Sequence, residues 1–285
     1  MGIDRFRFDG KRVLVVGGAT GMGAAAAALV QELGADVVVM DHTTITLAGA
    51  TAVHVDLRDQ ASIDAALDTA AGWFDVVFSC AGAADGTPGI EKINFIGHRH
   101  LIERLLAAGR LPRGSAIGMI SSTAGLGWEG ELAVLNEYLD TPDFDSAQGW
   151  IAAHPDTATY IFSKRAMNAY VSREAFRFLQ HGIRINAILP GPTDTPLARA
   201  HAEVWLGFGS DYRSDAGVLA ATPGDQAYPL VYLCSDAASY ISGVTLVVDA
   251  GFISSGLTRS YPDATPPTQF LMGRVGDLVL GETAG

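Results

Sequence analysis

The chain has 285 residues, of which 48% are hydrophobic and 18% charged, a composition able to bury a substantial core. Its formal charge of −12 argues against nucleic acid and anionic membrane surfaces as partners, because both need clustered Lys and Arg. No apolar run approaches the ~20 residues of a bilayer span, the charged start "MGIDRFRFDGKRV" is not a secretory signal, and Cys80 and Cys234 in apolar segments offer no disulfide framework, so a cytoplasmic protein is expected.

Taken in chain order, "RVLVVG" (12–17) is a buried strand, followed by a Gly-rich turn and an Ala-rich helix that ends at Gly34. "DVVVMD" (36–41) and "AVHVDL" (52–57) are strands, and "SIDAALDTAAG" is a helix. "FDVVFSCAG" (74–82) is the next strand, and residues 90–109 carry helical spacing at Ile93, Ile96, Leu101, Leu105 and Leu106. A strand over 115–122, a long helix over 160–182 and a strand over 183–191 come next. A helix over roughly 224–235 and a strand over 244–251 close the pattern. Continuous apolar strands alternating with helices predict a parallel sheet covered on both faces. Right-handed crossovers make it a Rossmann-type, doubly wound α/β fold of about seven strands, in one domain over 1–285.

Three segments break the alternation. Residues 42–51 are barely long enough for a parallel crossover, so no full helix is expected there. Residues 123–159 form a long insertion, and residues 252–285 form a Pro- and Gly-rich tail expected to lie against the body.

"VVGGATGMG" falls between the first strand and the first helix, with Gly17, Gly21 and Gly23 in GxxxGxG spacing. Glycines there let the backbone turn sharply and approach a pyrophosphate, which rests on the helix N-terminus. Asp41 ends the next strand 18 residues after Gly23, where an acid can accept hydrogen bonds from ribose hydroxyls. Its charge would repel a 2′-phosphate, and the loop has no Arg or Lys to attract one. The expected cofactor is therefore NAD.

These motifs together resemble the short-chain dehydrogenase/reductase family through nearly the whole chain. The glycine loop has that family's form, with Val16 where Thr is usual, and Asp56-Leu57 matches its adenine-contacting pair. "CAG" (80–82) stands for Asn-Ala-Gly, and Tyr160 and Lys164 form its YxxxK. Asn94 and Ser122 fall at its helical asparagine and strand-five serine. "PGPTDTP" (190–196) matches the segment that holds the carboxamide, and "VDAG" (248–251) its closing Val-Asp-Gly-Gly. The resemblance implies cofactor contacts from Gly17, Thr20, Gly21, Met22, Gly23, Asp41 and His42 along the first half of the cleft. It implies further contacts from Asp56, Leu57, Ala81, Gly82, Pro190, Gly191, Thr193 and Thr195, with Tyr160 and Lys164 beside the nicotinamide ribose. The insertion, the short second crossover and "PPTQF" are also similar to a bacterial subgroup, the 3α-hydroxysteroid dehydrogenase/carbonyl reductases.

Ketone reduction needs hydride at carbon and a proton at oxygen. A free tyrosine, with a pKa near 10, is a poor base at neutral pH. Lys164, one helical turn after Tyr160, projects from the same face, and an ammonium beside the phenol would lower its pKa. With eight tyrosines and three lysines in the chain, chance supplies only about 0.08 such pairs, so helical coincidence does not explain this one. Family analogy gives Ser122 a hydrogen bond to the substrate oxygen, and Asn94 a water that links Lys164 to solvent.

No metal site is expected. His98 and His100 do not share a helical face, and Asp140, Asp143 and Asp145 read as a solvated acidic loop. Cys80 reads as a buried structural thiol. Residues 197–222 correspond to the family's substrate lid, carrying Leu197, Val204, Trp205, Leu206 and Phe208. The insertion adds Trp128, Leu132, Leu135, Tyr138, Leu139 and Trp150. A pocket lined by these side chains would take an apolar cyclic alcohol or ketone, steroid- or terpenoid-like; alternatively they pack against the chain itself or a second subunit. The competing readings are a dehydrogenase of small hydrophilic carbonyls or sugars, and an NAD-sensing protein without chemistry. A homo-oligomer, dimer or tetramer, is expected from the resemblance.

Overall fold

The computed structural model describes residues 2–274. Seven strands, all parallel, form one sheet in the order β3-β2-β1-β4-β5-β6-β7. They are β1 (Arg12–Val16), β2 (Asp36–Asp41), β3 (Thr51–His54), β4 (Val76–Ser79), β5 (Ala116–Ile120), β6 (Arg184–Pro190) and β7 (Thr245–Val248). Alternate residues serve opposite faces, as strand geometry requires. Val13, Val15, Val37 and Val39 pack under α1 (Gly21–Glu32) and α10 (Pro223–Cys234). Leu14, Val16, Val38 and Met40 meet the layer built from α2 (Gln60–Ala70), α3 (Gly97–Ala107) and α6 (Tyr160–Gln180). Both faces are dry, which is why the central strands read as unbroken apolar runs.

The ends of the strands differ from their sequence bounds. β3, β4 and β7 are shorter than the apolar runs that announced them, because pairing stops where each chain turns off the sheet toward the cleft. Residues 42–50 contain no helix and connect β2 to β3 directly. The helix expected over 90–109 opens with a π-helical turn, Lys92–Ile96, before α3. Such wide turns are rare and concentrate at functional positions.

The insertion folds into α4 (Leu132–Leu139) and α5 (Phe144–Ala153). Asp143 starts α5 by accepting from the Ser146 amide at 2.8 Å, a side-chain cap of the ordinary kind. After β6 the lid forms three short helices, α7 (Pro196–Ala200), α8 (Ala202–Trp205) and α9 (Ser210–Ala216). Beyond β7, α11 (Phe252–Thr258) and α12 (Thr265–Leu271) fold back on the body. This accounts for the tail as far as Arg274, and residues 275–285 lie outside the described residues. No helix among the described residues is long and apolar enough to cross a membrane.

Candidate active site

β1 lies between β2 and β4, so successive crossovers diverge there and open a crevice at the carboxyl ends of the strands. A cavity of about 610 Å³ occupies it. At one end lie the glycine turn, Asp41, His42, Asp56, Leu57, Ala81 and Gly82. At the other lie Ser122, Tyr160, Lys164, Pro190, Gly191, Thr193 and Thr195.

The glycine turn is built by close approach. Gly17 has φ +83°, and a Cβ there would lie 2.3 Å from the Ala81 nitrogen. A Cβ on Gly23 would lie 2.1 Å from the Gly17 carbonyl oxygen. Strand, turn and helix therefore touch through bare backbone, and the first amides of α1 face the cleft without side chains in front of them. Asp41, 8% exposed, locks the neighbouring loop. It accepts from the Ala19 amide at 3.0 Å, the Thr43 amide at 2.9 Å and the Thr43 hydroxyl at 3.0 Å. An acid fixed at the end of β2 suits a ribose diol and disfavours a 2′-phosphate. The guanidinium of Arg58 also lines the cleft, but Asp56 holds it at 2.7 Å, and this pairing pulls the Asp56 carboxyl down to about 2. These residues fit NAD: bare backbone for the pyrophosphate, and acids without an unpaired guanidinium at the adenosine end.

At the other end, α6 begins at Tyr160. Thr159 caps it by accepting from the Phe162 amide at 3.2 Å, and Asp85 accepts from the Tyr160 amide at 2.7 Å. Lys164 is 3% exposed; its ammonium sits 5.5 Å from the centre of the Tyr160 ring and donates to the Ile120 carbonyl at 2.9 Å. Burial holds its pKa down at about 8, with nearby Cys80 acting the other way. The expectation that Lys164 depresses the Tyr160 pKa does not hold here. Burial raises the phenol, the Ser122 hydroxyl lowers it, and Asp85 raises it further. The ammonium lies over the ring and donates a hydrogen bond to the Ile120 carbonyl.

Asn94 is fully buried and stands behind the cleft rather than in its wall. It accepts from the Ala83 amide at 2.7 Å, donates to the Ala83 carbonyl at 3.1 Å and donates to the Ser163 hydroxyl at 3.2 Å. The π-helical turn turns this amide inward. Gly82 separates it from Lys164: a Cβ on Gly82 would lie 3.6 Å from Asn94 Oδ1 and 3.9 Å from Lys164 Nζ. His98, also fully buried, meets the Ala81 carbonyl at 3.0 Å and has its pKa held down near 4, chiefly by burial. His100 meets Asp64 at 3.0 Å. Burial raises the Cys80 thiol far above its usual range.

The lid contributes Leu197, Val204, Trp205 and Phe208 to the cavity, and Trp205 packs on Tyr160 with ring centres 5.1 Å apart. Leu206 does not line it; its carbonyl instead accepts from Arg213. The insertion side chains expected in the pocket lie elsewhere. Tyr138 sits among Phe95, Trp150 and Phe162 at centroid distances of 4.9–5.6 Å, on the outer side of α6. Trp128, Leu135, Leu139 and Trp150 pack in that same cluster, and Leu132 is exposed. Sequence reasoning passed over Asp85, Ala124, Ile161 and Leu271, which also line the cavity. Ile161 was within reach, since it follows Tyr160; Asp85 and Leu271 carry no motif.

Comparison with known proteins agrees with this architecture. The model described as "NAD dependent epimerase/dehydratase family" matches residues 13–188, and "Enoyl-(Acyl carrier protein) reductase" matches residues 146–253. The chain is 31% identical over 259 residues to cis-4-hydroxycyclohexanecarboxylate dehydrogenase of Sinomonas cyclohexanicum, covering 86% of this chain and 97% of the relative. It is 30% identical over 264 residues to (+)-borneol dehydrogenase 1 of Salvia officinalis, covering 86% and 95%. The fold is similar to that of the 3-alpha-hydroxysteroid dehydrogenase of Pseudomonas sp. B-0831 complexed with NADH, with TM-score 0.69, 24% identity and coverage of 88% and 99%.

Proposed function

Because the chain belongs to the short-chain dehydrogenase/reductase family, as an NAD-dependent oxidoreductase of CH–OH groups that interconverts alcohols and carbonyls, we propose that its substrate is an apolar cyclic secondary alcohol or the matching ketone. We assign the chemistry to Ser122, Tyr160, Lys164 and Asn94. The observation that carries the reading is the Tyr160 hydroxyl end of the cleft. The phenol stands at the start of α6 beside Ser122, under a roof of Trp205, Val204, Phe208 and Leu271. An apolar wall around two hydroxyls binds a hydrocarbon body by burial and orients its single oxygen by hydrogen bonds.

NAD, when bound, supplies the hydride exchange at the carbinol carbon. The protein's own groups manage the proton. Tyr160 exchanges it with the substrate oxygen, and Ser122 donates to that oxygen and fixes its direction. Lys164, with Asn94 behind Gly82, is placed to hold the ribose and to pass the proton onward. A phenol held above its ordinary pKa is protonated at neutral pH, so it is ready to donate to a ketone. Oxidation of the alcohol needs the phenolate and should therefore speed up as pH rises.

The relatives support a ring alcohol, since both are named for one; the neutral bicyclic alcohol borneol supports the apolar reading, whereas the cyclohexane alcohol of the other carries a carboxylate. A single domain, a cytoplasmic location and a homo-oligomeric assembly belong to the same proposal. Exposed Tyr228 and Tyr232 on α10 and Leu246 on β7 support the assembly, whereas α4 packs against α6 and takes up part of that helix's outer face.

The deciding experiment is Tyr160→Phe, assayed by NADH formation on borneol, cyclohexanol and a 3α-hydroxysteroid, with NAD affinity followed by calorimetry. Turnover should fall by about a hundred- to ten-thousandfold with NAD affinity within a few-fold, since general acid–base groups contribute 10²–10⁴. Retained turnover refutes the role of Tyr160. Oxidation of polyols alone would overturn the apolar ring substrate.

A further inference from the structure

Tyr160 has a neighbour that no motif announces. Asp85 lies in the loop between β4 and the π-helical turn, is exposed, and lines the cleft. Its Oδ1 accepts from the Tyr160 amide at 2.7 Å, the only hydrogen bond or ion pair of the carboxylate among the described residues. The second oxygen accepts no hydrogen bond from the described residues, and the side chain belongs to the cleft wall. Charged groups facing the phenol are few. Lys164, on the same helix, is 3% exposed and tied to the Ile120 carbonyl at 2.9 Å. Ser122 from the end of β5 and Trp205 from α8 are neutral, and His201 lies tilted against the Trp205 ring at 5.8 Å. Arg58 is held by Asp56 at the adenosine end. Among the described residues, Asp85 is thus the one solvent-facing formal charge next to the reacting position.

We propose that Asp85 sets the charge specificity of the enzyme: alcohols and ketones that are neutral or cationic are accepted, and those carrying a carboxylate near the reacting carbon are rejected. The inference rests on the proposed role of Tyr160, because that phenol fixes where the reacting oxygen sits. A substrate carboxylate on a small ring would lie within several ångströms of Asp85, with apolar walls from Trp205 and Leu271 limiting the water that could screen the two. At ~8 Å and an effective dielectric near 20, with discount for the exposure of Asp85, the repulsion is worth about tenfold in kcat/KM. The same carboxylate raises the Tyr160 pKa, so removing its charge should move the alkaline rise of alcohol oxidation to lower pH.

The test uses two matched pairs: cyclohexanol with cis-4-hydroxycyclohexanecarboxylate, and pentan-2-ol with 4-hydroxypentanoate. Each is assayed by NADH formation at low and high salt. The wild type should favour the neutral member of each pair by about tenfold, less at 1 M salt, where charges are screened within ~3 Å. Asp85→Asn keeps an oxygen for the Tyr160 amide but loses the charge; it should remove most of the preference and shift the oxidation profile to lower pH. Asp85→Ala loses both the charge and the bond, and separates damage to the start of α6 from the charge effect. Equal use of both members by the wild type, or a preference unchanged in Asp85→Asn, overturns the proposal. Turnover of the linear pair without the cyclic pair would overturn the ring-substrate reading alone, and the linear pair would still report on Asp85.

Discussion

Alanine at Gly23 tests whether the cofactor turn is held by backbone contact or by helix propensity. Gly23 occupies the first turn of α1, where replacing glycine by alanine in a helix is worth about 1 kcal/mol of stabilisation. The structure opposes this. The new methyl would stand 2.1 Å from the Gly17 carbonyl oxygen and 2.9 Å from Cys80 Cβ. The carbonyl cannot retreat easily, because the Gly17 amide donates to Met40 at 2.7 Å and a Cβ at Gly17 would already overlap Ala81. Overpacking of this kind costs about 1–3 kcal/mol, and contact with backbone places it at the upper end. The net loss is about 2 kcal/mol, or roughly 4–8 °C in melting temperature at 2–4 °C per kcal/mol for a chain near this size. Gly149 is the control: it lies in α5, is exposed, and has nothing within 4 Å of its built Cβ. Gly149→Ala should gain about 0.5–1 kcal/mol. Thermal melts with and without NAD decide the matter. NAD at a hundred times its Kd should add about 2.7 kcal/mol to the wild type and to Gly149→Ala, and much less to Gly23→Ala. A Gly23→Ala protein that melts higher than the wild type and keeps its NAD shift would refute the reasoning.

Asp41→Asn removes the charge that opposes a 2′-phosphate, and its single oxygen keeps one of the two amide bonds, which Asp41 makes to Ala19 and Thr43 through different oxygens. The NAD-to-NADP ratio of kcat/KM should fall by about tenfold or more, since a phosphomonoester carries close to two charges; an unchanged ratio would refute the ribose role. Lys164 gives a signed prediction for stability. Its folded pKa of about 8 lies below the ordinary 10.5, so between those values the unfolded chain binds more protons, and this group's contribution to stability rises with pH. Chemical denaturation at pH 7.5 and pH 10 should show the wild type gaining on Lys164→Met across that interval. A constant difference would mean that the ammonium is not desolvated.

The sheet was legible because burial on both faces forces unbroken apolar strands, and "RVLVVG" or "IRINAILPG" has few other ways to fold. The cofactor residues were legible for a related reason. Close backbone approach admits only glycine, as the 2.1–2.3 Å Cβ distances at Gly23 and Gly17 show, so the requirement leaves a pattern in sequence. What the sequence hid was direction. The aromatic side chains of the insertion look alike as candidates for a pocket or a packing face, and Tyr138 and Trp150 took the packing face against Phe162. The Tyr160 pKa was hidden too, because helical spacing brings Lys164 near the ring without deciding whether its ammonium faces the hydroxyl or the Ile120 carbonyl. Asp85 escaped because a hydrogen bond between residues 75 positions apart has no local pattern.

The division of labour in the cleft follows from which elements can move. Asn94, Ser122, Tyr160 and Lys164 sit on or directly beside β5, α6 and the π-helical turn, whose atoms are fixed by the core. The roof is different. Phe208 and Tyr212 of the lid pack on Phe252, and Tyr212 meets Tyr261 edge to face. The Tyr261 hydroxyl donates to Asp215 at 2.9 Å, and that of Tyr212 to the Ala250 carbonyl at 2.9 Å. Ala250 has φ +56°, a conformation that costs a non-glycine residue about 1 kcal/mol or more. The Tyr212 bond is one of the contacts that hold it there. From the same segment Leu271 enters the cavity, while its carbonyl accepts from Arg165, which also bonds Leu126 at the start of the insertion. Lid and insertion are therefore joined through residues 252–271, so changes in that tail should alter which substrates fit before they alter the proton transfer proposed for Tyr160. Substrate range and catalysis can vary separately in this chain, because one is carried by helices of seven residues or fewer stacked on each other and the other by the sheet.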